Sequence, residues 1–223
     1  MNRMTFAEAR DLALNLIHQE SIAGTVIPGS YNNQQDYLNK IPGLINAAQM
    51  DIATTVKPIP AQVFLGDMEH VESNGWFIYT LPDDLWQRRG SGLLVPRPNR
   101  GPGPYPHKGY ERVNFPLRMV GNTELMLPQR LPPDTILEYF RYPEKLSNTP
   151  ADDDLLDNVP EAQAAVPYYV AAYCVIYDDA FLYASMKNEY ENKKASMHDL
   201  VRTEVDPIMD VYMEPDIDYH WWG

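Results

Sequence analysis

Cysteine is almost missing from this chain. Cys174 is the only one among 223 residues, so no intrachain disulfide can form. That usage fits a reducing compartment, and Cys174, set among apolar residues, reads as a small buried hydrophobe. Long apolar runs are missing too. None approaches the roughly 18 residues that a membrane-spanning helix needs, and Met1–Glu8 lacks the basic-then-apolar layout of a signal peptide. The expectation is a protein made in the cytosol, with no membrane partner. Catalytic signatures are equally scarce. His18, His70, His107, His198 and His220 show no zinc-ligand spacing, and there is neither a P-loop nor a Gly-x-Ser-x-Gly elbow. The paired acids Asp83-Asp84 and Asp178-Asp179 are of a kind common on helices, and nothing beside them supports acid–base catalysis. No cofactor and no catalytic residue are expected.

Basic residues are in deficit: 18 Lys and Arg stand against 31 Asp and Glu, for a net charge of −13. Such a balance argues against general nucleic-acid binding, which rests on neutralising phosphates. The charge is unevenly placed. From Arg88 to Arg118 seven bases face one acid, a window of +6, which leaves −19 elsewhere; from Asp199 onward seven acids face one base, giving −6.

What is present reads as helix, then strand, then helix. Thr5 and Glu8 form a capping box before an apolar stripe of Phe6, Ala9, Ala13, Leu16 and Ile17. Ser21–Asn33 reads as a loop. A second helical region spans about Gln34–Thr55, and Pro42-Gly43 predict a kink or restart inside it. Ala61–Leu65 and Trp76–Leu81 have the β-branched and aromatic content of strands. Leu81–Leu85 reads as a strand entering a short helix. Gly90–Gly109, crowded with proline and glycine, is expected to hold no regular element and to project as a loop. Further short strands are expected at Tyr110–Asn114, Met119–Val120, Glu124–Leu127 and Thr135–Arg141. After a short turn at about Pro160–Ala165, a single long helix is expected from about Pro167 to Lys194. Its stripes, which include Tyr169, Tyr173, Tyr177 and Phe181, are wider than one small neighbour would cover, so these four are candidate subunit-packing residues.

The resulting architecture is α+β: a helical-bundle core with a β-rich insertion between the second helix and the long C-terminal helix. Its segments are 1–57, N-terminal helices; 58–142, the insertion; 143–205, C-terminal helices; and 206–223, an acidic aromatic tail. Within the projecting loop Arg97, Arg100, Tyr105 and Lys108 mix bases with aromatics, as contact surfaces do. Trp221 and Trp222 close the tail, where exposed tryptophans invite docking on a partner.

Several segments, in order, carry a resemblance: Asn39–Ala48, Leu81–Leu85, Ile136–Pro143, Val159–Glu161, Pro167–Ala172, Tyr177–Asp179 and Asn188–Glu191. Over about residues 34–197 the chain resembles the head–tail connector (adaptor) proteins of tailed bacteriophages. The resemblance implies a helical-bundle core, a homo-oligomeric ring of usually twelve copies, and a place in the virion neck after assembly in the host cytoplasm. It implies docking below the portal protein, a hold on the next neck or tail component, and genomic DNA passing through the lumen without sequence-specific binding. Such proteins are not enzymes. Two other readings stand beside it. One is another tail-completion component. The other is a metal-dependent hydrolase using the acidic turn Asp152, Asp153, Asp154 and Asp157, although EF-hand spacing is absent there and the acids equally suit the start of the next helix.

Overall fold

A computed structural model describes residues 3–21, 31–89, 93–96, 110–113 and 117–204, with side chains placed over 3–17, 36–89, 93–96, 110–113 and 117–197. The chain is a mixed α+β protein with two antiparallel sheets. Helix α1 (Phe6–Ser21) begins with the expected capping box: Thr5 N–H donates to Glu8 Oε2 at 2.8 Å and Glu8 N–H to Thr5 Oγ1 at 3.2 Å. Helix α2 (Tyr31–Thr55) starts three residues before its sequence-predicted boundary and runs through Pro42 as one helix, so of the expected kink or restart the restart does not occur. Proline costs a helix interior about 3 kcal/mol. Ile41, Ile45, Ala48 and Ile52, all fully buried on one face of α2, outweigh that cost.

The expected long C-terminal helix is broken. It resolves into a short α3 (Pro160–Gln163), α4 (Val166–Cys174) and α5 (Ala180–Glu204). The cause is local. Asp179 Oδ1 accepts the backbone N–H of Phe181 and of Leu182, both at 2.9 Å, and so caps a new helix where a continuing one was expected. Residues of α1, α2, α4 and α5 share one apolar cluster, in which α4 packs against each of the other three helices.

Between α2 and α3 the described residues form nine strands. The first sheet holds β1 (Ile59–Phe64), β4 (Leu85–Arg88), β5 (Leu93–Pro96), β6 (Tyr110–Val113) and β9 (Ile136–Arg141). Its order is β1-β9-β5-β6, and β4 also pairs with β9. The second holds β2 (His70–Ser73), β3 (Trp76–Thr80), β7 (Arg118–Val120) and β8 (Glu124–Leu127), in the order β2-β3-β8-β7. Leu85, Leu93, Leu137 and Tyr139 of the first sheet and Tyr79, Leu125 and Leu127 of the second share another apolar core. Two expectations change here. Leu81–Leu85 leads through a turn into β4, not into a helix. Leu93–Pro96, inside the segment expected to hold nothing regular, forms β5 because fully buried Leu93 and its pairing to β6 and β9 anchor it. The rest of the predicted loop and residues 205–223 lie outside the described residues.

Candidate functional site

Three places gather polar or aromatic groups of interest. The first is a tyrosine box in the helical layer. Tyr169 and Tyr173 lie one turn apart on α4 with ring centroids 4.4 Å apart, and Tyr190 of α5 meets Tyr169 edge-on at 5.1 Å. The Lys187 ammonium sits over all three rings, 5.7, 5.4 and 5.2 Å from the centroids of Tyr169, Tyr173 and Tyr190. Burial opposes its charge, but Glu191 at 3.0 Å and Tyr173 outweigh that, and its pKa stays above the ordinary lysine value. Tyr190 is fully buried and its hydroxyl donates to Asp51 of α2, which also receives Lys194 at 2.8 Å. Burial and this carboxylate push the Tyr190 phenol far up. Burial would raise Asp51 as well, yet the Lys194 and Tyr190 hydrogen bonds prevail and hold it below its usual value. The box therefore clamps α2, α4 and α5 together.

The second place is the corner between α4 and α5. Asp178 and Asp179 N–H groups donate to Val175 O at 2.9 and 3.0 Å, and Tyr37 of α2 donates its hydroxyl to the Asp178 carboxylate. The corner is thus pinned at both ends. It nevertheless presents Tyr177 91% exposed and Phe181 82% exposed, more than any other large apolar side chain among the described residues.

The third place is a polar joint between helices and sheets. Arg141 at the end of β9 grips Asp157 with two hydrogen bonds, Nη1 to Oδ2 at 2.5 Å and Nη2 to Oδ1 at 2.7 Å. Glu144 N–H donates to the same carboxylate at 2.6 Å, and Asp157 N–H donates to Gln49 Oε1 of α2 at 2.6 Å. Asp157 is 8% exposed. Burial pushes its pKa up, but Arg141 and Glu144 pull it down further, and it stays below the ordinary range. Asn46 and Leu146 exchange a pair of hydrogen bonds beside it, at 2.8 and 3.0 Å. An open cleft of about 560 Å³ adjoins the joint, lined by Asp83, Asp84, Arg141, Tyr142, Glu144 and Lys145 among others. Two of its charged groups are engaged internally: Arg141 by Asp157, and Asp84 by the Tyr139 hydroxyl at 3.0 Å; burial and this carboxylate raise that phenol to about 12.

The sequence-predicted residues fall as follows. Tyr169 and Tyr173 are half-buried against their own chain's core, in the box, while Tyr177 and Phe181 point outward at the corner. Arg97, Arg100, Tyr105, Lys108, Trp221 and Trp222 lie outside the described residues. The acidic turn serves a different helix from the one expected. Carbonyls of Asp154 and Asp152 accept the N–H groups of Phe6 and Ala7 at 2.7 and 3.1 Å, at the start of α1, and Arg10 pairs with Asp152 at 2.7 Å. Among the described residues no three His, Cys, Asp or Glu side chains converge as a metal ion requires. Cys174 is buried, and burial raises its thiol to about 11. The Arg141–Asp157 joint and the Lys187 box had no local signal, since their members are far apart in sequence. The N-cap at Asp179 had one, an Asp ahead of the apolar Phe181 and Leu182. No protein-family model and no curated protein matches the chain.

Proposed function

We propose that this chain is a structural adaptor of a tailed-phage neck, forming a ring of about twelve copies between the portal protein and the next neck or tail component. In this reading α1, α2, α4 and α5 are a helical-bundle core that builds the ring wall, residues 58–142 are a β-rich insertion carried on it, and DNA passes through the lumen. The observation that carries the reading is the Tyr177–Phe181 corner. Two large aromatic side chains held outward by a hydrogen-bonded turn are a contact feature with no role in a free monomer. The order of motifs supplies the phage context, and the net charge of −13 suits a channel that must pass DNA without binding it. Beside the cleft Arg141 is held by Asp157, and Asp84 accepts from the Tyr139 hydroxyl, so both groups serve the fold.

Imaging of intact particles tests the proposal directly. Density for this chain in a ring below the portal is the expected result; density for it elsewhere in the particle, or none, rejects it. Removal of residues 206–223 is expected to weaken assembly on the portal while leaving a folded chain, measured by portal co-sedimentation and circular dichroism. Unchanged portal binding by the truncated chain would rule out a docking role for the tail.

A further inference from the structure

Among the described residues five strands pair on one side only: β1, β4 and β6 in the first sheet, β2 and β7 in the second. Free edges are ordinarily short or charged, because an open row of N–H and C=O groups invites another strand. Four of the five follow that rule. β2, β4, β6 and β7 have four residues or fewer, and each has a charged side chain: Glu72, Arg88, Glu111 with Arg112, and Arg118. β1 has six residues, Ile59–Phe64, and none is charged. Its register shows which groups stand free. Leu65 N–H donates to Thr135 O at 2.8 Å, in line with the β1–β9 pairing, and bonded positions alternate along an antiparallel ladder. Ala61 and Val63 therefore bond β9, while the main-chain groups of Pro60, Gln62 and Phe64 point away from it. Arg89 N–H agrees from the other side, donating at 3.1 Å to the carbonyl of Glu138, the residue opposite Gln62. Pro60, Gln62 and Phe64 are all exposed. Ala61 and Val63, on the opposite face, are only half-buried against the sheet core, which is thus open at this edge.

We propose that residues 216–221 of the same chain add to this edge as a further strand, with Ile217, Tyr219 and Trp221 laid over Ala61 and Val63. Three observations select this occupant. The first is pattern. Asp216-Ile-Asp-Tyr-His-Trp221 alternates polar and apolar residues without a break over six positions, the length of β1 and the signature of a half-buried strand. The second is fit. On the core face three large side chains meet small Ala61 where the core is open; on the other face Asp216, Asp218 and His220 stay in water beside Gln62. β1 sets no carboxylate against the two aspartates, and Glu138 of the next strand is already paired with Arg112. The third is reach. α2 and α5 run in the same direction, since Tyr37 meets Asp178 near their starts and Asp51 meets Tyr190 and Lys194 farther along. α2 ends at Thr55 and leads through Val56–Pro58 into β1, while α5 continues past Lys194 to Glu204. The chain therefore leaves α5 on the side of the molecule where β1 begins. Residues 205–215 then span up to about 36 Å, at roughly 3.3 Å each. By contrast β6 lies at the far end of the sheet, and β2, β4 and β7 are too short to take six residues. Seated on β1, the tail shields the uncharged edge from other strands. The inference is independent of the neck reading.

Amide hydrogen exchange, read residue by residue on the full chain, provides the test with no other protein present. The full chain is compared with a chain lacking residues 206–223 and with the full-length variant Ile217→Pro/Asp218→Pro. Of two adjacent N–H groups in a strand one faces its neighbour in any register, so the double substitution removes a pairing donor without shortening the tail. The Gln62 and Phe64 amides are expected to exchange at least about tenfold more slowly in the full chain than in either variant. The Ala61 and Val63 amides, bonded to β9, are expected to keep one rate in all three, which with circular dichroism shows that the sheet is intact. Equal rates for Gln62 and Phe64 in the full and shortened chains overturn the proposal. So does protection that survives the two prolines, since strand pairing would not. Protection that grows as the full chain is concentrated from micromolar to millimolar identifies a second copy as the occupant and overturns it as well. Portal binding does not enter the measurement, so this inference and the neck reading can each fail without the other.

Discussion

Single atoms decide several positions. An ideal Cβ on Gly66 would lie 2.9 Å from both Cβ and O of Pro133, closer than such atoms approach, because Gly66 N–H donates to that same carbonyl at 2.8 Å. Gly66→Ala is therefore expected to lower stability by about 1–3 kcal/mol, the usual penalty of overpacking, read as a lower urea midpoint at unchanged slope. At the β2–β3 turn Asn74 and Gly75 have φ of 50° and 76°, the pair of positive values a two-residue hairpin demands. The strand before it, His70–Ser73, was not among the expected strands, because it is wholly exposed and has no apolar alternation to reveal it.

Titration also acts at this scale. Asp157 and Asp51 both have folded pKa values below the ordinary aspartate value, so each contributes stability that is present above the unfolded value and lost as pH falls through the folded one. Unfolding free energy is expected to be level near neutrality and to fall below about pH 4. Asp157→Asn should flatten that fall while lowering stability at pH 7, measured by urea denaturation across pH. An unchanged acid limb in the variant would show that Asp157 does not contribute to it.

At the scale of elements, the break at Val175–Asp179 has the largest consequence. A continuous helix over 167–194 would have placed Tyr177 and Phe181 on a stripe beside Val170 and Cys174, facing inward. The cap at Asp179 restarts the helix and turns both side chains outward. Asp179→Ala removes the acceptor for two backbone N–H groups and should cost about 1 kcal/mol, seen as a lower melting temperature. The β9–α3 connection depends on another pairing. Arg141→Ala leaves the buried Asp157 carboxylate with only the half-exposed Arg3 at 3.9 Å, and a loss of about 3 kcal/mol is expected, large enough to separate it from a surface substitution in the same urea series.

Across the whole molecule, two apolar cores coexist in one chain. The helical core draws on residues before 57 and after 155, and the sheet core on residues 65–139. Helix α1, the capping box, the buried stripe of α2 and most strands were legible in the sequence, because each depends on neighbours within a few residues and on simple periodicity. Residues 93–96 were not, since composition alone gives Leu93 no buried partner; pairing with β6 and β9 provides it. The tyrosines of α4 and α5 marked a dense aromatic region, but which of them faced inward depended on where the helix restarted.

Composition and local pattern thus determined the absence of disulfides, the acidic balance, the α+β content and the richness in aromatics. Those properties are sums over residues or depend on short spacing. Only the tertiary structure decided that Tyr169 and Tyr173 close on Lys187 while Tyr177 and Phe181 stand free, and that the acidic turn serves α1 and the β9 joint. The contacts join groups about 14–18 residues apart in the Lys187 box and at Arg141–Asp157, and nearly 150 apart where the acidic turn meets α1. The local cap at Asp179 shows its effect only where α4 and α5 pack, so periodicity alone reveals none of them.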